Sequence, residues 1–394
     1  MFIIKKRNFA CVLLVVFLAG AAVSLAAARI AGVAVSGIGG LTQMNAEYAA
    51  YKDHFGKLIA LDTYIKTNYY LPVEDDVLET GAYKGMFSSL GDRYTVYYTP
   101  EEFRRQSEST RGEFSGIGAV LRKDENGDVV IESILPGSSA EKEDLRPGDI
   151  LLLIDGKSYR DVDLTAAAEN LRGEEGSQVQ VRARRDGTEF DVTLTRTMVI
   201  TPSVGATVLE DSNIGYIQIA SFANQTAEDF GAELREMERK NVKGLVIDLR
   251  DNAGGLVERG VEIADMLLDA GTVATVRTND GTEQPYTTEA GATSLPYVLL
   301  VNGGTASTSE ILAGAVQDNH GGYLVGEQTT GKGILQRLEQ FTDGAGARIT
   351  VAQYYTPDGH QVHEKGIRPD FVVERSEEDA ADLQLAKAIA LLQE

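Results

Sequence analysis

A continuous apolar run, Phe9 to Ala28, lies near the start of the chain, preceded by Lys5, Lys6 and Arg7 and closed by Arg29. A basic stretch followed by an apolar segment is the pattern of a secretion signal, and about twenty apolar residues suffice to cross a bilayer. The positive residues keep the N-terminal end in the cytoplasm. The pattern therefore predicts a signal anchor over residues 1–35, with the remainder of the chain outside the cytoplasm. Small residues from Ser24 to Ala28 leave cleavage and secretion as the alternative.

Beyond that segment the periodicity changes three times. Residues 36–109 read as mainly helical: Leu78, Ala82, Met86 and Leu90 recur every four residues, behind the acidic start Glu74, Asp75 and Asp76. Residues 110–197 read as a β-rich module of short alternating strands. They include a hairpin, VQVRARR then TEFDVTLTR, around Asp186 and Gly187, and one short helix near Val162 to Leu171. Residues 198–375 alternate strand and helix. Ile214 to Ile219, Gly244 to Leu249 and Pro296 to Val301 are buried strands; a helix capped by Thr226, another over Val257 to Leu268, and a third from near Ser307 lie between them. The last stretch, 376–394, carries an amphipathic helix from Glu377 to Gln393. With the amphipathic, tyrosine-rich segment Ala46 to Tyr70, it suggests a homodimer.

Composition narrows the function. The chain has 394 residues, enough for two or three domains. Its 37 Lys plus Arg against 59 Asp plus Glu give a net charge of −22, which argues against nucleic acid as a partner, since phosphate binding needs a cationic footprint. The single cysteine, Cys11, sits in the apolar segment, so the rest of the chain has no disulfide framework, thiolate metal site or cysteine nucleophile. Four histidines remain: His54, His320, His360 and His363. The HxxHE spacing at His360 and His363 matches neither common zincin signature, so no metal is expected.

Two loops have the character of a site. LRDNAGG (Leu249 to Gly255) and VNGGTASTSE (Val301 to Glu310) each follow a buried strand and lead into a helix, where open α/β sheets bind ligands. Each is also compatible with an ordinary capped turn. A serine nucleophile needs a base, and His320 ends the helix that Ser307 begins, about 13 residues away. Lysine is the other base that serves serine when its amine is kept neutral. Lys332, between two glycines in GEQTTGKGILQ, is the candidate. Gln336 could hydrogen-bond it across a helical turn, whereas an extended segment would separate the two by about 13 Å.

These motifs together resemble the C-terminal processing peptidases, tail-specific serine proteases with a Ser–Lys dyad. ASTSE (306–310) is similar to that family's nucleophile motif. GEQTTGKGILQ resembles its base motif, and LRDNAGG its glycine loop, with Ala253 in place of the frequent proline. YTPDGHQVHEKGIRPD resembles its late segment, and SLGDRYTVYYTPEEF the sequence before its PDZ domain. SGIGAVL with PGSSAEKEDLRPGDILLLIDG resembles that PDZ domain itself.

The resemblance implies an α/β, ClpP/crotonase-like protease core with an inserted PDZ domain (110–197), helical terminal segments and no cofactor. It implies Ser307 as nucleophile, Lys332 as general base and Gln336 as the residue orienting it. Backbone N–H groups of Gly254 and Thr308 would bind the oxyanion, and Ser309 is the rival nucleophile. Gly116, Ile117, Gly118 and Ala119 would form the loop receiving a terminal carboxylate, so the implied partners are protein substrates with free C-termini. The competing classes are a non-catalytic PDZ scaffold and a crotonase-like acyl enzyme; the latter is disfavoured because a secreted chain has no coenzyme A supply.

Overall fold

The computed structural model describes residues 55–375 and 381–394. The signal anchor and residues 46–54 of the Ala46 to Tyr70 segment fall outside them. Among the described residues, no helix is long and apolar enough to cross a membrane. The chain divides into two compact units, 1–83 and 84–394. In the first, residues 55–68 are helical, and Lys66 joins Asp62 of that helix to Asp75. Helix α1 (Asp75–Ser88) begins in this unit and ends in the next.

Near the start of the second unit a short strand interrupts the mainly helical stretch. Val96–Tyr98 is a strand, β1, pairing antiparallel with residues 346–348. Helix α2 (Pro100–Arg111) follows, begun by a capping box in which Thr99 and Glu102 satisfy each other's main chain, and ended by Gly112 at φ 70°. Strand β2 (Glu113–Gly116) then leads into the inserted module. Its sheet runs β3 (Ala119–Lys123), β4 (Val129–Ile134), β5 (Ile150–Ile154), β6 (Gln178–Arg185) and β7 (Thr188–Thr195), in that order and all antiparallel. Helices α3 (Ser139–Lys142) and α4 (Leu164–Leu171) complete it. Ile117, Ile131, Ile154, Leu171, Val181 and Leu194 make its own core. The chain leaves by β8 (Thr197–Ile200), which pairs with β2.

The remainder builds two sheets. Strands β9 (Val204–Leu209) and β10 (Ile214–Ile219) precede α5 (Thr226–Arg239). The cap of α5 is Gln225 rather than Thr226; the Thr226 hydroxyl turns back to accept the Ala223 N–H at 2.8 Å. Then come β11 (Leu245–Asp248), α6 (Val257–Leu267), the hairpin β12 (Gly271–Thr278) and β13 (Glu283–Thr288), and β14 (Tyr297–Val301). They are followed by α7 (Thr308–Asp318), β15 (Tyr323–Gly326), β16 (Ile334–Gln340), β17 (Gly346–Tyr355), β18 (Phe371–Val372) and α8 (Leu383–Leu391).

One sheet has the order β18-β15-β14-β11-β10-β9 and is parallel except at the β9 edge. In the other, β17 pairs with β1, β12 and β16. Between them lies the main core, where Ile263 and Leu267 of α6 meet Ile311 and Leu312 of α7. Leu245, Val246 and Ile247 of β11 are covered on both faces, each burial being worth about 1.5–3 kcal/mol. The continuous apolar runs in the sequence are these doubly covered strands. Arg250, just past β11, turns from the site to bind Asp248 at 2.6 Å and Asp382 at 2.9 Å, tying the start of α8 to the core.

Candidate active site

The two glycine-containing loops emerge from the carboxyl ends of adjacent parallel strands, β11 and β14. Asn252, fully buried, stitches them together. Its side chain donates to Ile219 O at 2.8 Å, and its carbonyl accepts the Ala306 N–H at 2.9 Å and the Ser309 hydroxyl at 3.0 Å. Ser309 is thus fully buried and committed to the scaffold. Thr305 Oγ1 donates to Leu249 O at 2.8 Å, Thr308 Oγ1 to Gly255 O at 2.9 Å, and Asp251 and Asn302 exchange two hydrogen bonds at 2.9 Å, so the loops are cross-linked all along their length.

Ser307 sits on the resulting sharp turn with φ 59° and ψ −119°. A non-glycine residue there costs of order 1–3 kcal/mol and persists only where its surroundings over-determine it. The turn is the N-cap of α7, so the helix N-terminus faces the hydroxyl. Gly254 (φ +99°) lies directly against it. A Cβ at Gly254 would come within 2.8 Å of Ser307 Cβ and 2.9 Å of the Thr308 nitrogen, so this approach is open to glycine alone. The Thr308 N–H, at the first helical position, makes no hydrogen bond among the described residues, as an oxyanion donor requires. The Gly254 N–H donates to Asn252 Oδ1 at 2.9 Å, whereas that of Gly255 makes no hydrogen bond among the described residues.

Lys332 borders the same cavity of about 700 Å³ as Ser307, with Gly254, Gly255, Leu256, Tyr286 and Val351. Burial pushes its ammonium below the usual lysine range, and the like charge of Arg348 acts the same way, against an opposing pull from Glu310. Its Nζ stands 5.1 Å from the Tyr94 ring centroid, over the aromatic face, and makes no hydrogen bond to Ser307 Oγ. Gln336 lies in the extended strand β16, so the helical-turn route to Lys332 is absent. Its amide donates instead to the Tyr94 carbonyl at 2.7 Å, which Arg348 also binds at 3.1 Å. Gln336 therefore holds the segment whose ring faces the lysine.

In the inserted module, Gly116 ends β2 and Ala119 begins β3, leaving Ile117 and Gly118 between strands. Their carbonyls accept Ala140 N–H and Leu135 N–H, while their own N–H groups have no hydrogen-bond partner among the described residues. A small pocket opens there, lined by Leu121, Ala168, Leu171 and Arg172, with the Arg172 guanidinium stacked 4.6 Å from the Phe114 ring. Arg172 supplies local positive charge that the −22 total conceals.

Asn252, Tyr94, Arg172, Glu310 and Tyr354 carry no role that the sequence alone assigns. Glu310 alone has a local signal, a glutamate three residues after a serine at a helix start.

A PDZ-like module interrupting an α/β core, with a serine on a strained strand-to-helix turn against a glycine loop, defines a serine-type peptidase. Residues 213–373 match Peptidase family S41, and residues 106–184 match the PDZ domain. The chain is 35% identical over 323 residues to the carboxy-terminal processing protease CtpA of Bacillus subtilis, covering 81% of this chain and 69% of that protein. It is 38% identical over 325 residues to the carboxyl-terminal-processing protease of Synechocystis, covering 79% and 76%. Among solved structures, the photosystem II D1 C-terminal processing protease superposes with a TM-score of 0.50 at 30% identity, over 84% of this chain and 90% of that one. The chain belongs to the carboxyl-terminal processing proteases of peptidase family S41.

Proposed function

We propose that this peptidase works by a Ser307–Lys332 dyad and selects substrates by capturing their carboxyl termini on the PDZ loop. The observation that carries the reading is the shared cavity. It holds a serine on a strained helix-capping turn and a lysine whose proton affinity is lowered by burial. For reaction, the flexible lysine stem must bring its amine from the Tyr94 face to the serine hydroxyl. The neutral amine takes the hydroxyl proton as Oγ attacks the peptide carbonyl. The oxyanion forms against the Thr308 N–H and the Gly254–Gly255 turn. On collapse the C–N bond breaks, and the lysine ammonium protonates the departing amine, leaving an acyl ester on Ser307. Water, deprotonated by the same lysine, then hydrolyses the ester.

In the module, the free N–H groups of Ile117 and Gly118 receive the terminal carboxylate, with Arg172 beside them. The tail lies along β3 as an added strand. A disordered substrate prepared with a free and with an amidated C-terminus tests this. Amidation removes the charge the loop binds, so kcat/KM should fall at least about tenfold, with fragments read by mass spectrometry. Equal rates for the two forms would sink tail recognition.

The reading extends to an extracytoplasmic catalytic domain, anchored by the segment before residue 35, and to a homodimer. The exposed apolar side chains Leu58, Ile59, Leu61 and Tyr64 support the pairing. Treating intact cells with a membrane-impermeant amine cross-linker addresses both. The expected product has twice the 42.5 kDa chain mass. A labelled monomer alone refutes the dimer, and an unlabelled chain refutes the location.

A further inference from the structure

Lys332 belongs to neither a strand nor a helix; β15 ends at Gly326 and β16 starts at Ile334. No ladder fixes its main chain, yet a base must meet its nucleophile to within a fraction of an ångström. Both of its main-chain polar groups are instead held by buried side chains. The Lys332 N–H donates to Glu310 Oε2 at 2.8 Å, and the Lys332 carbonyl accepts the Tyr354 hydroxyl at 2.9 Å. The same two side chains grip the nucleophile. Glu310 Oε2 also accepts the Ser307 N–H at 2.9 Å, and the Tyr354 hydroxyl lies 3.0 Å from the Ser307 carbonyl.

That carbonyl already accepts the N–H groups of Glu310 at 2.8 Å and Ile311 at 3.0 Å. The single phenolic proton is therefore best placed on Lys332, whose carbonyl has no other donor among the described residues. Glu310 Oε1 extends the grip along the base loop, accepting Thr329 Oγ1 at 2.6 Å and the Gly331 N–H at 2.7 Å. Glu310 is fully buried and Tyr354 is 1% exposed. Burial, with Glu310 second, pushes the Tyr354 phenol well above its ordinary range, so it stays a neutral donor.

We infer that Glu310 and Tyr354 form a brace that sets the spacing of Lys332 from Ser307, acting as positioning residues that touch neither substrate nor reacting atoms. The inference rests on the dyad reading above. It predicts a loss confined to the catalytic step when the brace is cut.

The test uses a small activated ester, too short to need tail capture, with kcat and KM followed across pH. Tyr354→Phe keeps the ring and deletes one hydroxyl. Its kcat should fall about 10- to 100-fold with KM within about twofold. The pH at which its activity is half-maximal should also rise, because a loosened lysine gains water and its proton affinity returns toward the ordinary value. A merely structural defect would lower activity equally at every pH without moving that midpoint. If Tyr354→Phe does not fold, Glu310→Gln serves, with the same loss of kcat at constant KM expected. A wild-type kcat, or a loss without a moved midpoint in Tyr354→Phe, overturns the brace, as does unchanged kcat in Glu310→Gln. Full ester hydrolysis by Lys332→Ala would instead overturn the dyad beneath it, so the two failures are distinguishable.

Discussion

Ser307→Ala should stop peptide-bond cleavage and leave the fold standing. The helix start at this position is held by Glu310 on the Ser307 N–H and by Asn252 on the Ala306 N–H, so neither support depends on the serine side chain. Alanine bears the same strain as serine at φ 59°, so that cost does not change. What disappears is the atom that forms the acyl ester. Losses of a nucleophile of this kind are of order 10⁴-fold or more in kcat. The measurement pairs fragment mass spectrometry on a tail-bearing substrate with thermal unfolding. Cleavage near the wild-type rate would remove Ser307 from the mechanism.

Lys332→Ala is the second large effect, about 10²–10⁴-fold for a lost general base. The pH dependence gives a sharper reading than the amplitude. Burial and Arg348 hold the folded lysine below its ordinary range, and only the neutral amine can accept a proton. Wild-type activity should therefore rise with pH through a midpoint below that of an ordinary lysine. Lys332→Arg, which stays charged, should be inactive at every pH.

Stability carries the same sign. Because the folded-state value lies below the unfolded one, the unfolded chain binds more protons between the two values, and stability increases with pH across that window. Below the window the buried charge is a standing cost. Lys332→Met should therefore raise Tm near neutrality and remove this contribution to the alkaline rise. A wild-type rate flat from about pH 5 to 9 would count against a lysine base.

The parallel strands were legible because both faces are covered, which makes each a solid apolar run. The Ser307 helix start and the glycine loop were legible because their residue types sit at fixed offsets. The second sheet was not. Strands β16 and β17 mix charged, polar and apolar residues, and their register shifts at Leu335/Gln336, so period-two alternation is broken. The strand placement of Gln336 comes from that sheet, and its partner Tyr94 lies 242 residues away in sequence. Tyr354 and Asn252 act through contacts that only the completed topology creates; neither belongs to a local pattern that names its role.

The PDZ insertion has a consequence for how the chain assembles. Strands β2 and β8 pair Glu113 with Ile200, and the Thr201 N–H closes the base of the ribbon on the Gly112 carbonyl at 2.8 Å. As an unfolded loop of roughly 90 residues, the insertion would cost the core about 4 kcal/mol in closure entropy. Once the module has folded around its own core, its two ends already lie side by side. The peptidase core then closes across a gap one ribbon wide. A module that emerges before most of the core during synthesis thus acts as a staple for the strands made after it.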